Sequence, residues 1–351
     1  MDGTYQVNHH WKKLASRIVK PQQVVLVIGS TDVGKSTFCR FLADFALTHG
    51  LKTALVDADV GQSQIGPPTT IGMKSFTPEG PSVQFNGTAD QLYFVGDLSP
   101  RGHYLEVLTG TSLMVDSARE IDANFIIIDT TGYIHDKPAV TLKQHKIELI
   151  RPNHIVCIGR CSELEQITAC YDQQDWLNVH HLLPDRNVRS KSIKARSRYR
   201  KVQFDAYFAE STVQQLPFEQ IRGGRTPFFI GRIANEKELE ILSGLSETQV
   251  YHAEWGHRAL CLIVSKPLSK AVITHIKNYL SLTRVTVEVR AYFERRLIGL
   301  IGTGCGNTYA IGIIEDIDFQ KREFSIRCPF LKEGDAVKQA CAIQFGNYQI
   351  N

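Results

Sequence analysis

Residues 24–37 read VVLVIGSTDVGKST and join an apolar run to a glycine-rich loop. The run at 24–28 contains only valine, leucine and isoleucine, which is typical of a parallel strand buried on both faces. Gly29 and Gly34 let the backbone curl so that successive N–H groups point at phosphate oxygens. A helix starting near Lys35 would aim its positive dipole end at the same anion. The spacing therefore predicts a phosphate-binding loop (P-loop, or Walker A loop) for a nucleoside triphosphate.

The residue types in the P-loop predict how a magnesium triphosphate is held. Lys35 is expected to reach the β- and γ-phosphates, and Ser36 to supply a hydroxyl ligand to Mg²⁺. From these residues, the predicted ligand is ATP or GTP together with magnesium. The residues predicted to contact the nucleotide are Gly29, Ser30, Thr31, Asp32, Val33, Gly34, Lys35, Ser36 and Thr37.

Carboxylates follow two further apolar runs. Asp57 and Asp59 lie in DADVGQSQ at the end of the run 53–57, and Asp129 closes the run 125–129. Because ligands bind at the carboxyl ends of parallel strands, we expect these acids near the P-loop. One P-loop needs one such carboxylate for magnesium. The additional acid favours a base for an acceptor hydroxyl, and hence phosphoryl transfer rather than simple hydrolysis. For Asp57, capping of a turn is the alternative.

Helical and strand patterns alternate along the first half of the chain. Strands separated by helical stretches imply right-handed βαβ units. The predicted fold class is therefore α/β, a P-loop NTPase doubly wound parallel sheet with a smaller β-rich C-terminal domain. The spacing of apolar residues predicts helices over 8–20 and 36–49, and strands over 24–28, 53–57, 125–129 and 154–159.

The pattern changes after about residue 232, where short β-rich segments separated by Gly, Asn and Asp turns begin. We predict an N-terminal helix at 1–20, a P-loop domain at 21–232 and a β-rich domain at 233–351. A barrel is one possible arrangement of the β-rich domain. The β-rich segments lie around 258–264, 284–291, 296–302, 309–316 and 323–327, with a marked turn at 302–307.

Positive charge is concentrated in residues 186–201, RNVRSKSIKARSRYRK. This segment carries eight Lys or Arg and no acid, and the formal net charge of the chain is +4, so the remainder carries 4 − 8 = −4. A solvated surface stretch is one interpretation. There are two functional alternatives. The segment could be a lid whose arginines close over the triphosphate, or it could bind the phosphate backbone of a nucleic acid.

The composition excludes several classes of protein. No run reaches about 18 apolar residues, and the N-terminal stretch lacks the apolar region of a signal peptide, so we expect a cytoplasmic protein without a membrane span. The eight cysteines are scattered and form no C-x-x-C pair. We therefore expect reduced cysteines rather than a zinc site of the usual spacing.

Five motifs together resemble the polynucleotide 5′-hydroxyl kinases, a family that includes the RNA kinases of mRNA 3′-end, tRNA and ribosomal RNA processing and archaeal relatives. The resemblance covers roughly residues 21–210 and extends more weakly to GCGNTYAIGIIEDID at 304–318. The motifs are GSTDVGKST at 29–37, DADVGQSQIGPP at 57–68, GDLSPRGH at 96–103, DTTGYIHDK at 129–137 and RSKSIKAR at 189–196.

The resemblance implies a part in the reaction for residues beyond the P-loop. Asp59 would activate the 5′-hydroxyl of the acceptor and touch the magnesium shell, and Gln62 would help to place the magnesium or the γ-phosphate. Ser99 would contact the acceptor phosphate. Arg189 and Arg196 fit the lid arginines that meet the triphosphate and the transferring group. The second lid position stays open among Lys194, Arg196, Arg198 and Arg200.

Two positions depart from the family pattern. Tyr133 stands where relatives carry a tryptophan that clamps the terminal base of the acceptor, and a tyrosine ring can still stack, with less area. Asp129 stands where some relatives carry a non-acidic residue. The predicted metal ligands are therefore Ser36, Asp59 and Asp129. Either of the two acids, or both, could supply the carboxylate that binds the metal.

The first hypothesis is an ATP-dependent polynucleotide 5′-hydroxyl kinase that acts on the 5′-OH ends of RNA or DNA, with further RNA-processing proteins as expected partners. Two alternatives stay open. One is an ATP-binding scaffold subunit of an RNA-processing complex without kinase turnover. The other is a kinase or ligase for a small molecule on the same fold.

Overall fold

The chain divides into two compact units, Met1–Tyr207 and Phe208–Asn351. The P-loop and the acidic motifs all belong to the first. The computed structural model describes residues 8–80, 83, 88–185, 188, 190–220, 222–302, 307–329 and 340–350. The domain limits that the sequence suggested, 1–20, 21–232 and 233–351, stay a prediction.

The first unit alternates helices and strands. Its helices are α1 His9–Ile18, α2 Lys35–Thr48, α3 Tyr104–Glu120, α4 Lys137–Ile150, α5 Glu165–Thr168 and α6 Ile193–Tyr207. Its strands are β1 Gln23–Ile28, β2 Thr53–Ala58, β3 Thr70–Phe76, β4 Gln91–Phe94, β5 Phe125–Thr130, β6 His154–Ile158 and β7 Asn178–Leu182, and a short 3-10 helix spans Cys161–Glu163.

The strands of the first unit follow the order β7-β6-β1-β5-β2-β3-β4. The first five of these run parallel to one another, so the predicted parallel sheet is confirmed. Strand β3 pairs antiparallel with β2, and β4 pairs antiparallel with β3. Sequence patterns did not indicate this antiparallel edge, because β3 carries Gly72 and Lys74 within its run and β4 has only four residues.

Strand β1 explains why the run at 24–28 is apolar throughout. Successive side chains of a strand point to opposite faces of the sheet. Val24, Leu26 and Ile28 pack on one face, in a core that includes residues of α3 and α4. Val25 and Val27 pack on the other face, against residues of α1 and α2. Helices cover both faces, as the doubly wound prediction requires.

Helix α1 is fixed on the outer side of α2. Asn8 caps it, because its side-chain oxygen accepts a hydrogen bond from the His10 backbone N–H at 3.0 Å. Trp11 lies edge-to-face against Phe38 of α2, with ring centroids 5.2 Å apart. The predicted helices 8–20 and 36–49 are thereby confirmed, within two residues at each end.

The second unit is β-rich, as predicted, and contains two helices that were not predicted. The helices are α7 Glu236–Ser246 and α8 Lys270–Tyr279, with short 3-10 helices at Phe218–Gln220 and Arg290–Tyr292. The strands are β8 Ser211–Pro217, β9 Arg222–Gly224, β10 Arg232–Ile233, β11 Val250–Gly256, β12 Ala259–Val264, β13 Arg284–Val289, β14 Arg296–Gly302, β15 Thr308–Asp318, β16 Glu323–Pro329 and β17 Ala340–Gln349.

Two sheets organise the second unit. One has the order β10-β11-β12-β13, and the other joins β8, β16, β15, β14, β17 and β9 in that order. All five predicted β segments correspond to strands, β12 to β16. The predicted turn at 302–307 falls largely on residues 303–306, which lie outside the described residues.

Two further sequence expectations concern membranes and cysteines. None of the helices in the described part of the chain combines the length and the apolar content that crossing a bilayer needs. Six cysteines carry free thiols, namely Cys39, Cys157, Cys170, Cys261, Cys328 and Cys341. No group of three or more His, Cys, Asp or Glu among the described residues could hold a metal ion by itself. Cys305 lies outside the described residues.

The packing of α2 predicts unequal effects for two of its phenylalanines. Phe38 is fully buried, whereas Phe45 is half-buried at the edge of the same core. Phe38→Ala should lower the free energy of unfolding by about 3–5 kcal/mol, because the cavity adds to the lost transfer energy. Phe45→Ala, the matched control, should lower it by less than half as much. Urea unfolding measures both, and equal losses would contradict this packing.

Candidate active site

The P-loop lies between β1 and α2 and contains two positions that need glycine. Gly34 has a φ of 93°, in the left-handed region that favours glycine. A Cβ at Gly29 would lie 2.2 Å from the carbonyl oxygen of Ile158 on the neighbouring strand β6. The loop therefore begins in close contact with the sheet. It enters α2 through a left-handed backbone conformation that is energetically unfavourable for residues other than glycine.

Lys35 is the first residue of α2, and its side chain returns over the loop. It is only 6% exposed, and its Nζ donates a hydrogen bond to the Ser30 carbonyl oxygen at 2.7 Å. The helix N-terminus and the ammonium group thus concentrate positive charge at one place. This arrangement fits a phosphate group that would take the lysine's remaining hydrogen bonds.

Ser36 and Asp129 form a hydrogen-bonded pair below the loop. The Ser36 Oγ donates to Asp129 Oδ2 at 2.5 Å. Burial raises the pKa of Asp129, against the opposing effects of Lys35 and Ser36. Its other oxygen, Oδ1, is buried, and no described residue donates a hydrogen bond to it. A buried carboxylate oxygen beside a serine hydroxyl is a donor set that fits Mg²⁺, a cation that prefers oxygen ligands.

Asp57 organises the loop that carries Asp59. Its carboxylate accepts hydrogen bonds from the backbone N–H groups of Asp59, Gln64 and Ile65 at 3.0, 2.6 and 3.1 Å. Burial, followed by the charge of Asp129, raises the pKa of Asp57 to about 7. These bonds correspond to the turn-capping interpretation of Asp57.

Asp59 itself is half-buried and lies at the surface of a cavity of about 730 Å³. Its Oδ1 accepts hydrogen bonds from the N–H groups of Gly61 and Gln62 at 3.1 and 3.2 Å, and no described residue donates one to its Oδ2. The side chain is therefore held from one oxygen while the other stays available to a substrate.

The cavity brings together most of the residues that the sequence singled out. Gly29 and Ser30 form the base of the P-loop outside this lining, and Asp129 lies behind Ser36. Arg189 lies outside the described residues. The lining includes P-loop residues 31–37 and, from other parts of the chain, Asp59, Gln62, Ser99, Tyr133 and Arg196.

The basic segment contacts the P-loop through Asp32. The Arg196 Nη2 lies 2.6 Å from Asp32 Oδ2, and the Lys191 backbone N–H donates to the same oxygen at 2.9 Å. Burial acts to raise the pKa of Asp32, but the hydrogen bonds and charges of Lys191 and Arg196 outweigh it and lower the pKa. The ion pair is therefore formed at neutral pH and is lost as the pH falls through this lowered pKa.

Helix α6 decides which basic side chains face the cavity. Arg196 and Arg200, one helical turn apart, line it, whereas Lys194 and Arg198 are exposed. Between them, the Tyr199 hydroxyl donates to the Ser63 carbonyl oxygen at 3.0 Å. Among the positions that the sequence left open for the second lid residue, this geometry favours Arg196 and Arg200.

Tyr133 also lines the cavity, where it belongs to a polar and aromatic cluster. Its hydroxyl donates to Asp136 Oδ2 at 2.9 Å, and the guanidinium carbon of Arg101 lies 5.3 Å from its ring centroid. The ring of Tyr104 is nearly parallel to it, at 6° and 6.4 Å between centroids. Ser99 lines the same cavity, and its Oγ accepts a hydrogen bond from the Arg101 backbone N–H at 3.2 Å.

Some residues of the site escaped the sequence analysis. Tyr104 and Arg101 are next to Tyr133, and Lys143 of α4 donates to the Thr131 carbonyl oxygen at 2.8 Å. The signal for Lys143 was available, because it falls between apolar residues on the inner stripe of α4. Arg101 lies in the motif GDLSPRGH, but nothing in its spacing indicated a contact with Tyr133.

Comparisons with known proteins identify the family to which the chain is similar. The family described as "mRNA cleavage and polyadenylation factor CLP1 P-loop" matches residues 29–210. The chain is 30% identical over 340 residues to a polyribonucleotide 5′-hydroxyl-kinase of Methanocaldococcus jannaschii, covering 95% of this chain and 88% of that protein. It is 27% identical over 358 residues to an enzyme of the same name from Pyrococcus furiosus, covering 99% and 94%.

A solved structure, that of a wild-type Clp1p–Pcf11p complex, resembles the fold with a TM-score of 0.62. The match covers 98% of this chain and 80% of that one. Sequence identity is 12%, so the likeness concerns the fold alone.

The contact between Asp32 and the basic segment predicts the effect of Asp32→Asn. The substitution removes the charge that pairs with Arg196, so α6 should detach more often from the P-loop. Trypsin should cleave within residues 191–201 about three to ten times faster than in the wild type. Mass spectrometry of the fragments measures the rate, with exposed Asp175→Asn as the matched control. Unchanged cleavage would show that this ion pair does not hold the helix.

Proposed function

The chain belongs to the CLP1 P-loop family, and from this premise we propose that it is an ATP-dependent polyribonucleotide 5′-hydroxyl kinase. The observation that carries the proposal is the pairing of two acids with one P-loop. Asp129 is bonded to Ser36 below the loop, while Asp59 lies at the cavity with one carboxylate oxygen available. Curated relatives that match most of the chain bear this activity in their names.

The donor nucleotide binds at the P-loop in this proposal, with ATP preferred and GTP as the alternative. Backbone N–H groups and Lys35 hold the β- and γ-phosphates. Ser36, Asp129 and Asp59 would hold Mg²⁺. This assignment is supported by the buried Oδ1 of Asp129, which accepts no hydrogen bond from a described residue. When bound, the cation supplies positive charge that offsets the developing charge on the phosphate oxygens.

In the proposed transfer step, one residue accepts a proton and several arginines supply positive charge. Asp59 takes the proton of the 5′-hydroxyl as the new bond from that oxygen to the γ-phosphorus forms. The bond from the γ-phosphorus to the bridging oxygen breaks, and the nucleoside diphosphate leaves. Arg196 and Arg200 offset the negative charge in the transition state. We retain the prediction that Arg189, as a lid arginine, contacts the triphosphate and the transferring group.

The acceptor end lies on the side of Ser99 and Tyr133. Ser99 contacts the first phosphate after the terminal nucleotide, and the Tyr133 ring stacks on the terminal base. Gln62, at the same cavity, helps to place the γ-phosphate. RNA is the proposed acceptor, because curated relatives are named for polyribonucleotides; DNA ends and protein partners in RNA processing stay predictions.

Transfer of labelled γ-phosphate from ATP to matched 5′-OH RNA and DNA oligonucleotides tests the proposal. We expect labelled 5′-phosphate ends, with RNA the better acceptor. Absence of transfer, beside a known kinase that works in parallel, would exclude the activity. Nucleotide retained through purification without transfer or hydrolysis would favour a scaffold, and a lack of oligonucleotide binding would favour a small-molecule substrate.

Asp59→Asn should remove transfer while sparing nucleotide binding. Asparagine keeps the size of the side chain but cannot take the hydroxyl proton, so kcat should fall at least about 100-fold. The dissociation constant for ATP, measured by calorimetry, should stay within about threefold. Asp175→Asn, at an exposed position, is the control. Near-normal turnover in Asp59→Asn would exclude this residue as the base.

Tyr133 variants separate the ring from its hydroxyl. Tyr133→Ala removes a stacking surface and should raise the KM for the oligonucleotide at least about fivefold, because base–aromatic stacking contributes about 1–3 kcal/mol. Tyr133→Phe keeps the ring and loses the bond to Asp136, so it should raise the KM less. Exposed Tyr279→Ala is the control. Equal KM values for all four proteins would rule out stacking at Tyr133.

A further inference from the structure

Two lysines lie in the interior of the first unit, behind the candidate active site. Lys143 and Lys146 are 0% and 1% exposed, on the face of α4 that also buries Leu142 and Ile147. The Lys143 Nζ donates to the Thr131 carbonyl oxygen at 2.8 Å. The Nζ of Lys146 is buried, and no described residue accepts a hydrogen bond from it.

Burying these two groups is unfavourable for folding. An ammonium group without partners loses its hydration, and this loss is expensive in a protein interior. Burial lowers the pKa of Lys143 well below its usual range, with further lowering by Lys146 and Lys35. Burial likewise lowers the pKa of Lys146 to about 7, while Asp59 and Asp129 act in the opposite direction. A helix that only packed on the sheet would gain stability from apolar residues at both positions.

The lysines adjoin a loop that connects the two sides of the site. Residues 130–132 link Asp129, which bonds Ser36, to Tyr133, the residue proposed to contact the acceptor. A Cβ at Gly132 would lie 2.5 Å from the backbone nitrogen of Thr31 in the P-loop. The segment therefore contacts the P-loop at Gly132 and the Lys143 side chain at Thr131. A small displacement of this segment would move both the donor and the acceptor ends of the site.

We propose that Lys143 and Lys146 are positioning residues for the phosphoryl transfer: Lys143 holds the segment 131–132 against the P-loop, and Lys146 places positive charge near Asp59 and Asp129. The inference rests on the proposed function. Lys143 acts through its bond to the Thr131 carbonyl, and Lys146 acts through charge alone, because its ammonium has no hydrogen-bond acceptor among the described residues. The fold retains Lys146 although the charge lowers its stability.

Lys146→Met separates this proposal from a purely structural explanation. Methionine fills the same space without a charge, so the melting temperature should rise by about 2–8 °C. If the charge supports the reaction, kcat should nevertheless fall at least about tenfold, with the dissociation constant for ATP changed less than about threefold. A gain in stability together with a loss of kcat is the expected result. Lys13→Met, at an exposed position of α1, is the matched control.

Lys143→Met tests the contact with the loop by a measurement that does not need kinase activity. The substitution leaves the Thr131 carbonyl oxygen without its donor, so the segment should open more often. Hydrogen exchange of the backbone amides at 130–134, followed by mass spectrometry, should become at least about fivefold faster, while exchange in α2 stays unchanged. The KM for the oligonucleotide should rise at the same time.

The outcomes distinguish this inference from the proposed function. If the wild type transfers no phosphate, the kinase proposal fails, and the exchange experiment still reports whether Lys143 positions the loop. If Lys146→Met is more stable and turns over normally, its charge has no part in the reaction. If Lys143→Met leaves exchange at 130–134 unchanged, the contact with Thr131 does not position the segment. Either of the last two results would overturn the inference.

Discussion

The parallel pairing of β1, β5 and β2 is the constraint on which the candidate site depends. In this register Val27 of β1 and Asp57 of β2 both pair with Asp129 of β5. The three strands therefore end together, and the chain segments that follow them meet at one edge of the sheet. The P-loop follows β1, the loop with Asp59 follows β2, and the Thr131 loop follows β5. A shift in this register would separate the phosphate site from its acids.

Short contacts between these loops then hold the site in shape. Gly29 and Gly132 leave no space for a side chain between backbone segments. Asp57 accepts three backbone hydrogen bonds from the loop that positions Asp59, and Asp32 binds the basic segment. Several of these groups are charged and buried, which opposes folding. Burial first, and the charge of neighbouring carboxylates after it, raises the pKa values of Asp57 and Asp129, a kind of perturbation that is common at functional sites.

Much of the fold followed from the chain's apolar pattern, because burial on two faces leaves a clear signal. The run at 24–28 could be read as a strand since helices cover both sides of β1. Strands β3 and β4 and helices α7 and α8 were missed, because short or mixed segments owe their structure to neighbours that are distant in sequence. The motifs indicated Asp59 and Tyr133, but the surroundings of Tyr133, with Tyr104 and Arg101, depend on packing between two chain segments about 30 residues apart.

The sequence by itself determined the P-loop, the acidic ends of two strands and the concentration of positive charge, since each of these is a local pattern of residue types. Only the tertiary structure decided how these parts combine. In the structure, the Asp32 carboxylate forms an ion pair with Arg196. The rotation of α6 about its axis places Arg196 and Arg200 at the cavity. The tertiary structure also brought Lys143 beneath Thr131. The physical reason is that a charge acquires its partner and its burial from residues far along the chain, which a local pattern does not specify.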